Sequence, residues 1–598
     1  MLKRLLLALA VIGIGWSAWL AIAGGVDTRL VGVRITSNEP MRPLIVAAIA
    51  LAAFTWLYGA ARVHARVRPL VAAVDARIAA VALALVVTVV AIAYSTTAAA
   101  ASDSYGYVSE ADQFLTGRLR IEQPWMMDAP WPMKGLAFAP LGYRPIDRDP
   151  QGAIVPTYSP GLPLLMAGAK RIAGQEGMFA VVPLMAGLLV LATFGIGRRL
   201  GMPRAGLVAA FLMATCPALT AMSVRPMSDV PGAAAWTGAL YFALGGSGLD
   251  AIAAGLCTAL AIVIRPNLAP CAAALLMWYA IRDDLTRRWK VQNAALYAIA
   301  AAPGVLVTAL IYRMLYGSFV TSGYGRASDL FSTAHIWVNL KNYAGWAMAT
   351  QTPFVLAGLV ALFVRSDRLW PTPRARRFAL VAAMFSTIVW VEYLAFMVFD
   401  DWLYLRLLLP AWPLMMLGVG AVAMALIAKR QPALTLATAG LLLWIGIFAW
   451  RVSARHGTFS VWADERRFVS VAALVRERTR DDAVVFSMLH SGTLRYYAGR
   501  RTARWDFVDP EWMDRAVAWV DSHGGHAYAL LETWEIDLFR KQFAGQRVLQ
   551  ALETPSFIYE GSTSVRLYDL SSPRPFGTPP DVIVENFRDR RRSVPPAE

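Results

Sequence analysis

Cysteine is almost missing from this chain of 598 residues, with only Cys216, Cys257 and Cys271 present. All three fall in apolar segments, where a free thiol behaves as a small core residue. The polar C-terminal part has none, which excludes a disulfide framework or a zinc knuckle there. Histidine is scarce too. His523 and His526 in "HGGH" lack an acid at zinc-site spacing, so the pair reads as a Gly-rich turn. There is no Walker motif and no Gly-rich strand–turn–helix, hence no nucleotide-binding signature. Charged residues make up only 16% of the chain, and the acidic ones are the minority, 40 against 57 Lys and Arg, for a net +17. In a soluble domain that excess would suggest nucleic acid. Here the arginines cluster in short loops between apolar runs, a pattern that sets membrane orientation, and no nucleic-acid partner is expected.

What is abundant is apolar sequence: 57% of residues are hydrophobic and the mean hydropathy is +0.48. Crossing a hydrocarbon core of ~30 Å takes roughly 20 apolar residues. Thirteen candidate spans fall near 5–23, 43–61, 78–100, 178–197, 205–223, 231–245, 250–264, 267–281, 291–312, 352–364, 378–398, 407–428 and 433–450. Several are short, and the Pro-broken pair within 250–281 could be one re-entrant unit. The N-terminal run is long for a signal peptide and is expected to stay as an uncleaved first helix.

Placing the N-terminus inside assigns 1–4, 62–77, 198–204, 246–250, 282–290, 365–377 and 429–430 to the cytoplasm. Those segments hold 20 Lys and Arg, against six in the short outer segments 24–42, 224–230, 265–267 and 399–406. The asymmetry fixes orientation. It sends 101–177, 313–351 and 451–598 to the outer face. The expected organisation is two additional N-terminal spans (1–77), a membrane core (78–450) with a large external loop (101–177), and a C-terminal extracytoplasmic domain (451–598). That domain reads as α/β. "DAVVFSML" and "HAYALLET" look like buried strands, "DPEWMDRAVAWVDSHGG" and "ETWEIDLFRKQF" like helices. The Pro- and Arg-rich tail is expected to fray.

Charges at a membrane edge are expensive, roughly 2.5–3.5 kcal/mol each on the insertion scale, so they tend to mark function. Asp103, Arg225, Asp229, Arg265, Glu392, Asp400, Asp401 and Arg406 all fall at or near outer ends. Singly each could be a snorkelling anchor; together they suggest one external site. In "SDSYGYVSEADQF", Asp103, Tyr107 and Glu110 share a helix face. The other reading is an interfacial helix with Asp103 as N-cap and Ala111, Phe114 and Leu115 along the membrane surface. Tyr158 follows in "VPTYSPGLPLLMAG". "SVRPMSDVPGAAAW" and "AIVIRPNLAP" each place an Arg-Pro at the outer edge.

The order of these pieces resembles the GT-C glycosyltransferases, the multispanning family that includes the protein O-mannosyltransferases and the lipid A aminoarabinose transferase, and within it the bacterial family 39-like branch. "SDSYGYVSEADQFLTG", "YSPGLPLL", "RPMSDVP", "GLCTALAIVIRPN" and "YLRLLLPAWPLMML" carry the resemblance over about 78–430. It implies an α-helical polytopic membrane protein of about 13 helices in the bacterial inner membrane, with its active site outside. It implies inverting transfer of a sugar from a polyprenyl-phosphate donor to a cell-envelope glycan, lipid or protein. The carriers in relatives bear aminoarabinose, mannose, arabinofuranose or galacturonic acid. The resemblance gives Asp103 the role of general base, with Ser104 where relatives often carry a second acid. It makes Asp229 part of the catalytic pocket and Arg406 a phosphate ligand. Arg225 and Arg265 have the same fork chemistry at similar depth. Glu110 is a reserve catalytic acid, and Tyr107, Tyr158, Asp400 and Asp401 are candidates for acceptor or sugar contacts. A divalent cation on Asp400 and Asp401 is one option; bracketing Arg406 in an ion pair is the other. A polytopic transporter or flippase is the rival reading. It should show broken helices in symmetric halves, and no such symmetry is visible. A non-catalytic assembly factor of this fold is a third, opposed by the presence of both Asp103 and Asp229.

Overall fold

The computed structural model describes residues 2–23, 26–30, 33–37, 41–147, 149–585 and 594–597. It divides into two compact units, Met1–Ala79 with Ala423–Trp444, and Ala80–Val422 with Ile445–Glu598. In the first, α1 (Leu2–Ala23) packs on α2 (Met41–Tyr58), and β1 (Val26–Leu30) pairs antiparallel with β2 (Val33–Ser37). Residues 62–77, expected as a loop, lie mostly in a further helix, α3 (Ala60–Ala73). It turns away from α2 by 109° at Gly59. The tail expected to fray, 571–598, is corrected in part: residues 581–584 form a strand paired with 557–560 in the C-terminal sheet, and 586–593 and 598 lie outside the described residues.

The helices that follow are α4 (Ala76–Tyr94), α5 (Asp103–Thr116), α6 (Gly161–Arg199), α7 (Pro203–Thr215), α8 (Pro217–Ser223), α9 (Asp229–Ala243), α10 (Gly248–Ile264), α11 (Ala272–Ile281), α12 (Arg287–Tyr316), α13 (Ile336–Gln351), α14 (Phe354–Phe363), α15 (Pro373–Ala395), α16 (Trp412–Ile427) and α17 (Pro432–Arg455). Among the described residues six helices are long and apolar enough to cross a membrane, or up to nine if each bent pair counts once. Large apolar side chains such as Ile78, Ile299 and Leu310 stand exposed on α4 and α12. In water such faces would have no cover, so lipid is their solvent. The protein is a multi-pass membrane protein. Each expected span coincides at least in part with helix, though 205–223 is broken by a 56° bend near Cys216 and 267–281 and 407–428 open as 3₁₀ turns. The runs at 231–245 and 250–264 form helices of 15 and 17 residues, short of a full crossing. The run at 178–197 is the second half of α6, which begins at Gly161. The two halves meet at Ala173 and Gly174, where Gly174 takes φ +67°, a conformation a side chain would strain.

Beyond the core, α18 (Val461–Arg478) leads into a six-stranded sheet of order β10–β8–β9–β7–β5–β6. Its strands are β5 (Ala483–Phe486), β6 (Arg501–Ala503), β7 (His526–Glu532), β8 (Phe557–Glu560), β9 (Ser564–Asp569) and β10 (Asp581–Val584), with α19 (Met513–Ser522) and α20 (Thr533–Gln542) packed against it. β5 runs parallel to β6 and β7, and β9 antiparallel to β7 and β8. The α/β reading and both quoted strands and helices are present. Within residues 101–177, β3 (Tyr143–Pro145) pairs with β4 (Ile154–Pro156).

That segment and the sheet share one core. Met126, Trp131 and Phe138 pack with Phe486, Trp505 and Val520. Arg495 ties them further, donating to Gln123 Oε1 and the Phe138 carbonyl, both at 2.7 Å. The Tyr496 hydroxyl donates to Asp112 Oδ2 at 2.6 Å. This enclosure covers residues 104–111, including Ala111 of the expected interfacial stripe, while Phe114 is half-buried and Leu115 exposed, so an outward apolar face remains only at the end of α5. Nor is Asp103 an N-cap. Ser102 holds that position, and Asp103 is the acid of the first turn, where the helix dipole favours it.

Candidate active site

A cavity of ≈ 620 Å³ opens between the start of α5, the segment before α6, the starts of α9 and of the residues after α10, the end of α15, and the segment leading to α16. Its size is ordinary for a small-molecule site, roughly 300–1,000 Å³. Asp103, Tyr107, Tyr158, Asp229, Arg265 and Arg406 all line it, brought together from five elements spread over some three hundred residues of chain.

The charged groups form a chain of alternating sign. Arg406 reaches Asp103 Oδ2 with Nη1 at 3.4 Å and Nη2 at 3.3 Å, and its Nε lies 3.9 Å from Asp229 Oδ1. Arg265 Nη2 donates to that same oxygen at 2.6 Å. Charge-assisted contacts are usually ~2.7–2.9 Å. Arg265 is therefore committed to Asp229, whereas Arg406 is held loosely and can turn to another anion. The Arg406 guanidinium also stands 5.0 Å from the Tyr404 ring centre, and that ring stacks on Phe399 at 3.6 Å. The two acids differ in access. The Asp229 side chain is fully enclosed, while that of Asp103 is 35% exposed. Of the two, Asp103 is the one with an open carboxylate.

Tyr158 orients Asp103. Its hydroxyl donates to Asp103 Oδ1 at 2.5 Å and lies 2.8 Å from Ser102 Oγ. Having one proton, it must accept from Ser102. Burial, then the neighbouring Asp103 charge, holds the phenol well above its ordinary pKa, so it stays a donor. Its ring packs 4.7 Å from that of Tyr107 and 5.8 Å from that of Tyr324. Gly106 makes this possible: a Cβ there would sit 2.2 Å from Tyr158 Cε2. The Tyr107 hydroxyl donates to Ser228 Oγ at 2.8 Å, next to Asp229. Beyond Arg265, the Tyr393 hydroxyl accepts from Arg265 Nη1 at 3.0 Å and Asn267 Nδ2 at 3.1 Å.

Other expected site residues lie apart. Glu110 is fully buried off the cavity, both its carboxylate oxygens without a hydrogen bond, and burial raises its pKa well above the usual carboxylate range. Arg225 is turned away, donating to the Ala221 carbonyl at 2.7 Å and lying 3.7 Å from Glu465 of α18. Asp400 and Asp401 are exposed, and Asp401 accepts from the Leu403 N–H at 2.7 Å. The expected bracketing of Arg406 by this pair is corrected: its partners are Asp103 and Asp229, which face it across the cavity. Among the described residues no three His, Cys, Asp or Glu side chains gather as a metal-ligand group. Sequence reasoning passed over Ser102, Ser228, Asn267 and Tyr393, though "RPN" and the Glu392–Tyr393 pair lay in stretches it singled out.

Residues 157–312 match the family described as dolichyl-phosphate-mannose-protein mannosyltransferase. No curated protein matches the chain. Among solved structures it is similar to ArnT from Cupriavidus metallidurans bound to undecaprenyl phosphate, at 12% identity and TM-score 0.51, covering 83% of this chain and 99% of that one. The apo state of the same protein aligns at 14% identity and TM-score 0.50, with the same coverage. The oligosaccharyltransferase of Archaeoglobus fulgidus, tethered to an acceptor peptide, aligns at 12% identity and TM-score 0.47, covering 82% and 74%. The fold is that of the GT-C membrane glycosyltransferases.

Proposed function

We propose that the protein is an inverting glycosyltransferase that moves a sugar from a polyprenyl-phosphate donor to an extracytoplasmic acceptor of the cell envelope. The observation that carries this reading is the alternating run Asp103–Arg406–Asp229–Arg265 along one cavity wall. Asp103 takes the proton of the acceptor hydroxyl, a role worth roughly 10²–10⁴-fold. The freed oxygen attacks the anomeric carbon from the face opposite the phosphate, and the bond from that carbon to the phosphate oxygen breaks. Arg406 receives the charge that develops on the departing polyprenyl phosphate. Its long contact to Asp103 gives the step an order: a phosphate that draws Arg406 toward itself frees Asp103 to act as base. Arg265 holds Asp229 in place, and Tyr158 with Ser102 aims Asp103.

The family match over 157–312 supports a lipid-linked sugar donor, and the relative solved with undecaprenyl phosphate supports a polyprenyl carrier. The arginine asymmetry supports an outward-facing site in an inner membrane. A transporter would not need a base fixed by a tyrosine. The test is Asp103→Asn, read by release of undecaprenyl phosphate from its glycosylated form and by mass spectrometry of envelope glycans and lipids. Turnover should be abolished with donor binding largely kept. Turnover within tenfold of the unaltered protein would remove Asp103 from the role of base.

A further inference from the structure

One acid singled out in the sequence takes no part in the chemistry above. Glu392 lies in the last turn of α15 and lines the same cavity, with the Asn267 amide beside it. Nothing in stability accounts for it. A carboxylate in the last turn opposes the helix dipole, and one at the end of an apolar span is costly to desolvate. Among the described residues no cation pairs with it, whereas Asp103 and Asp229 are both paired. The cavity wall thus carries three carboxylates against two guanidiniums, and a donor phosphate adds further negative charge. Next to Glu392, the Tyr393 hydroxyl accepts from both Arg265 and Asn267. Among the described residues its own proton has no acceptor. Tyr393 therefore joins Arg265, and through it Asp229, to the Glu392 corner through a single hydroxyl.

On the donor reading above, we infer that Glu392, Asn267 and Tyr393 form the subsite that holds the transferred sugar by its ring hydroxyls and rejects an anionic sugar. Sugar hydroxyls both donate and accept. An unpaired carboxylate accepts from two of them, the Asn267 carbonyl can accept a third, and the Tyr393 proton serves an oxygen of the same ring. A neutral or amine-bearing glycosyl group satisfies this corner. A uronic acid sets a second carboxylate against Glu392 in a site where like charges are poorly screened.

The test compares affinities of the purified full-length protein in nanodiscs for four probes. They are bare undecaprenyl phosphate and undecaprenyl phosphate carrying mannose, aminoarabinose or galacturonic acid. Glu392→Gln should lower affinity for the mannosyl or aminoarabinosyl carrier at least tenfold relative to the bare carrier. It should raise relative affinity for the galacturonosyl carrier by a similar factor, and Asn267→Ala should reproduce the first effect. Binding of the bare carrier reports that each variant is folded. Ratios unchanged within threefold for every sugar overturn the subsite. Loss of bare-carrier binding in both variants also ends the proposal, because it makes Glu392 a structural residue. Failure of the donor reading looks different: Arg406→Ala would then bind the bare carrier as the unaltered protein does.

Discussion

Gly106→Ala tests the orientation of the base without touching a charged group. The added Cβ would lie 2.2 Å from Tyr158 Cε2 and 2.4 Å from Cδ2, where ordinary contact begins near 3.4 Å. The ring must retreat by about 1 Å. It is buried between Tyr107 and Tyr324, so the retreat carries the hydroxyl from its 2.5 Å contact with Asp103. Misplacement of about 1 Å in a reacting constellation costs roughly 10²-fold, or ~2.7 kcal/mol of barrier. Overpacking costs about 1–3 kcal/mol of stability. The assay is release of undecaprenyl phosphate under donor saturation, with thermal unfolding measured alongside. If Gly106 acts through Tyr158, the alanine should lose most of its effect in a Tyr158→Ala background, a coupling that a double-mutant cycle reads directly. Turnover of Gly106→Ala within threefold of the parent, or equal losses in both backgrounds, would refute the reasoning.

Arg406→Lys keeps the charge and loses the fork, so donor affinity should fall, and Arg406→Ala should lower it further, by about 10–100-fold for a charge-assisted contact of ~1.5–3 kcal/mol. Equal affinities of lysine variant and parent would exclude fork-like phosphate binding. In the C-terminal sheet domain, burial pushes Glu535 from 4.5 up to about 7. Its contribution to stability is therefore fully present below about pH 4.5 and is lost as pH rises through about 7. Thermal scans should show Glu535→Gln gaining on the parent across that window, whereas parallel curves would mean Glu535 ionises normally. For topology, single cysteines at Ser102 or within 455–585 should react with an impermeant maleimide from outside, and cysteines in 366–376 should not. The native Cys216 and Cys271 are buried and add little background. Labelling of the C-terminal domain only from the cytoplasm would put the acids on the wrong face.

That the chain crosses a membrane several times was legible because length and apolarity alone decide whether a segment can cross, and both are local properties, although six to nine described helices meet that measure against thirteen expected spans. Where locality failed, so did the boundary. Nothing in "GLPLLMAGAKRIAG" announced a helix of its own ahead of the 178–197 span, set off from it by the non-helical Ala173 and Gly174. The interfacial reading of α5 holds only for its last turn, at Phe114 and Leu115, for a different reason. Its amphipathic pattern is real, but the partner that covers Tyr105 and Ser109 comes from Tyr143, further along the 101–177 segment, and from residues near 492–496. Burial of a helix by a segment nearly four hundred positions away leaves no periodic trace.

The site shows the same division at finer grain. That Asp103, Asp229, Arg265 and Arg406 matter could be read from the cost of charge at a membrane edge, a rule that needs no partner. Who pairs with whom could not. Asp400 and Asp401 are near Arg406 in sequence, and proximity made them the natural partners. Yet the segment Trp402–Ala411 is a 3₁₀ run that turns Arg406 into the cavity while Asp401 is spent accepting the Leu403 amide. Arg225 illustrates the converse. It shares depth and chemistry with Arg265, but Arg225 follows the short α8 and swings toward Glu465, while Arg265 leaves the end of α10 facing Asp229. The cost argument thus selects residues worth placing in a site, and only the backbone that carries them decides which of two like cations lines the cavity. By that logic Glu392, equally costly and among the described residues left with the Asn267 amide but no cation, is the group that a ligand would complete.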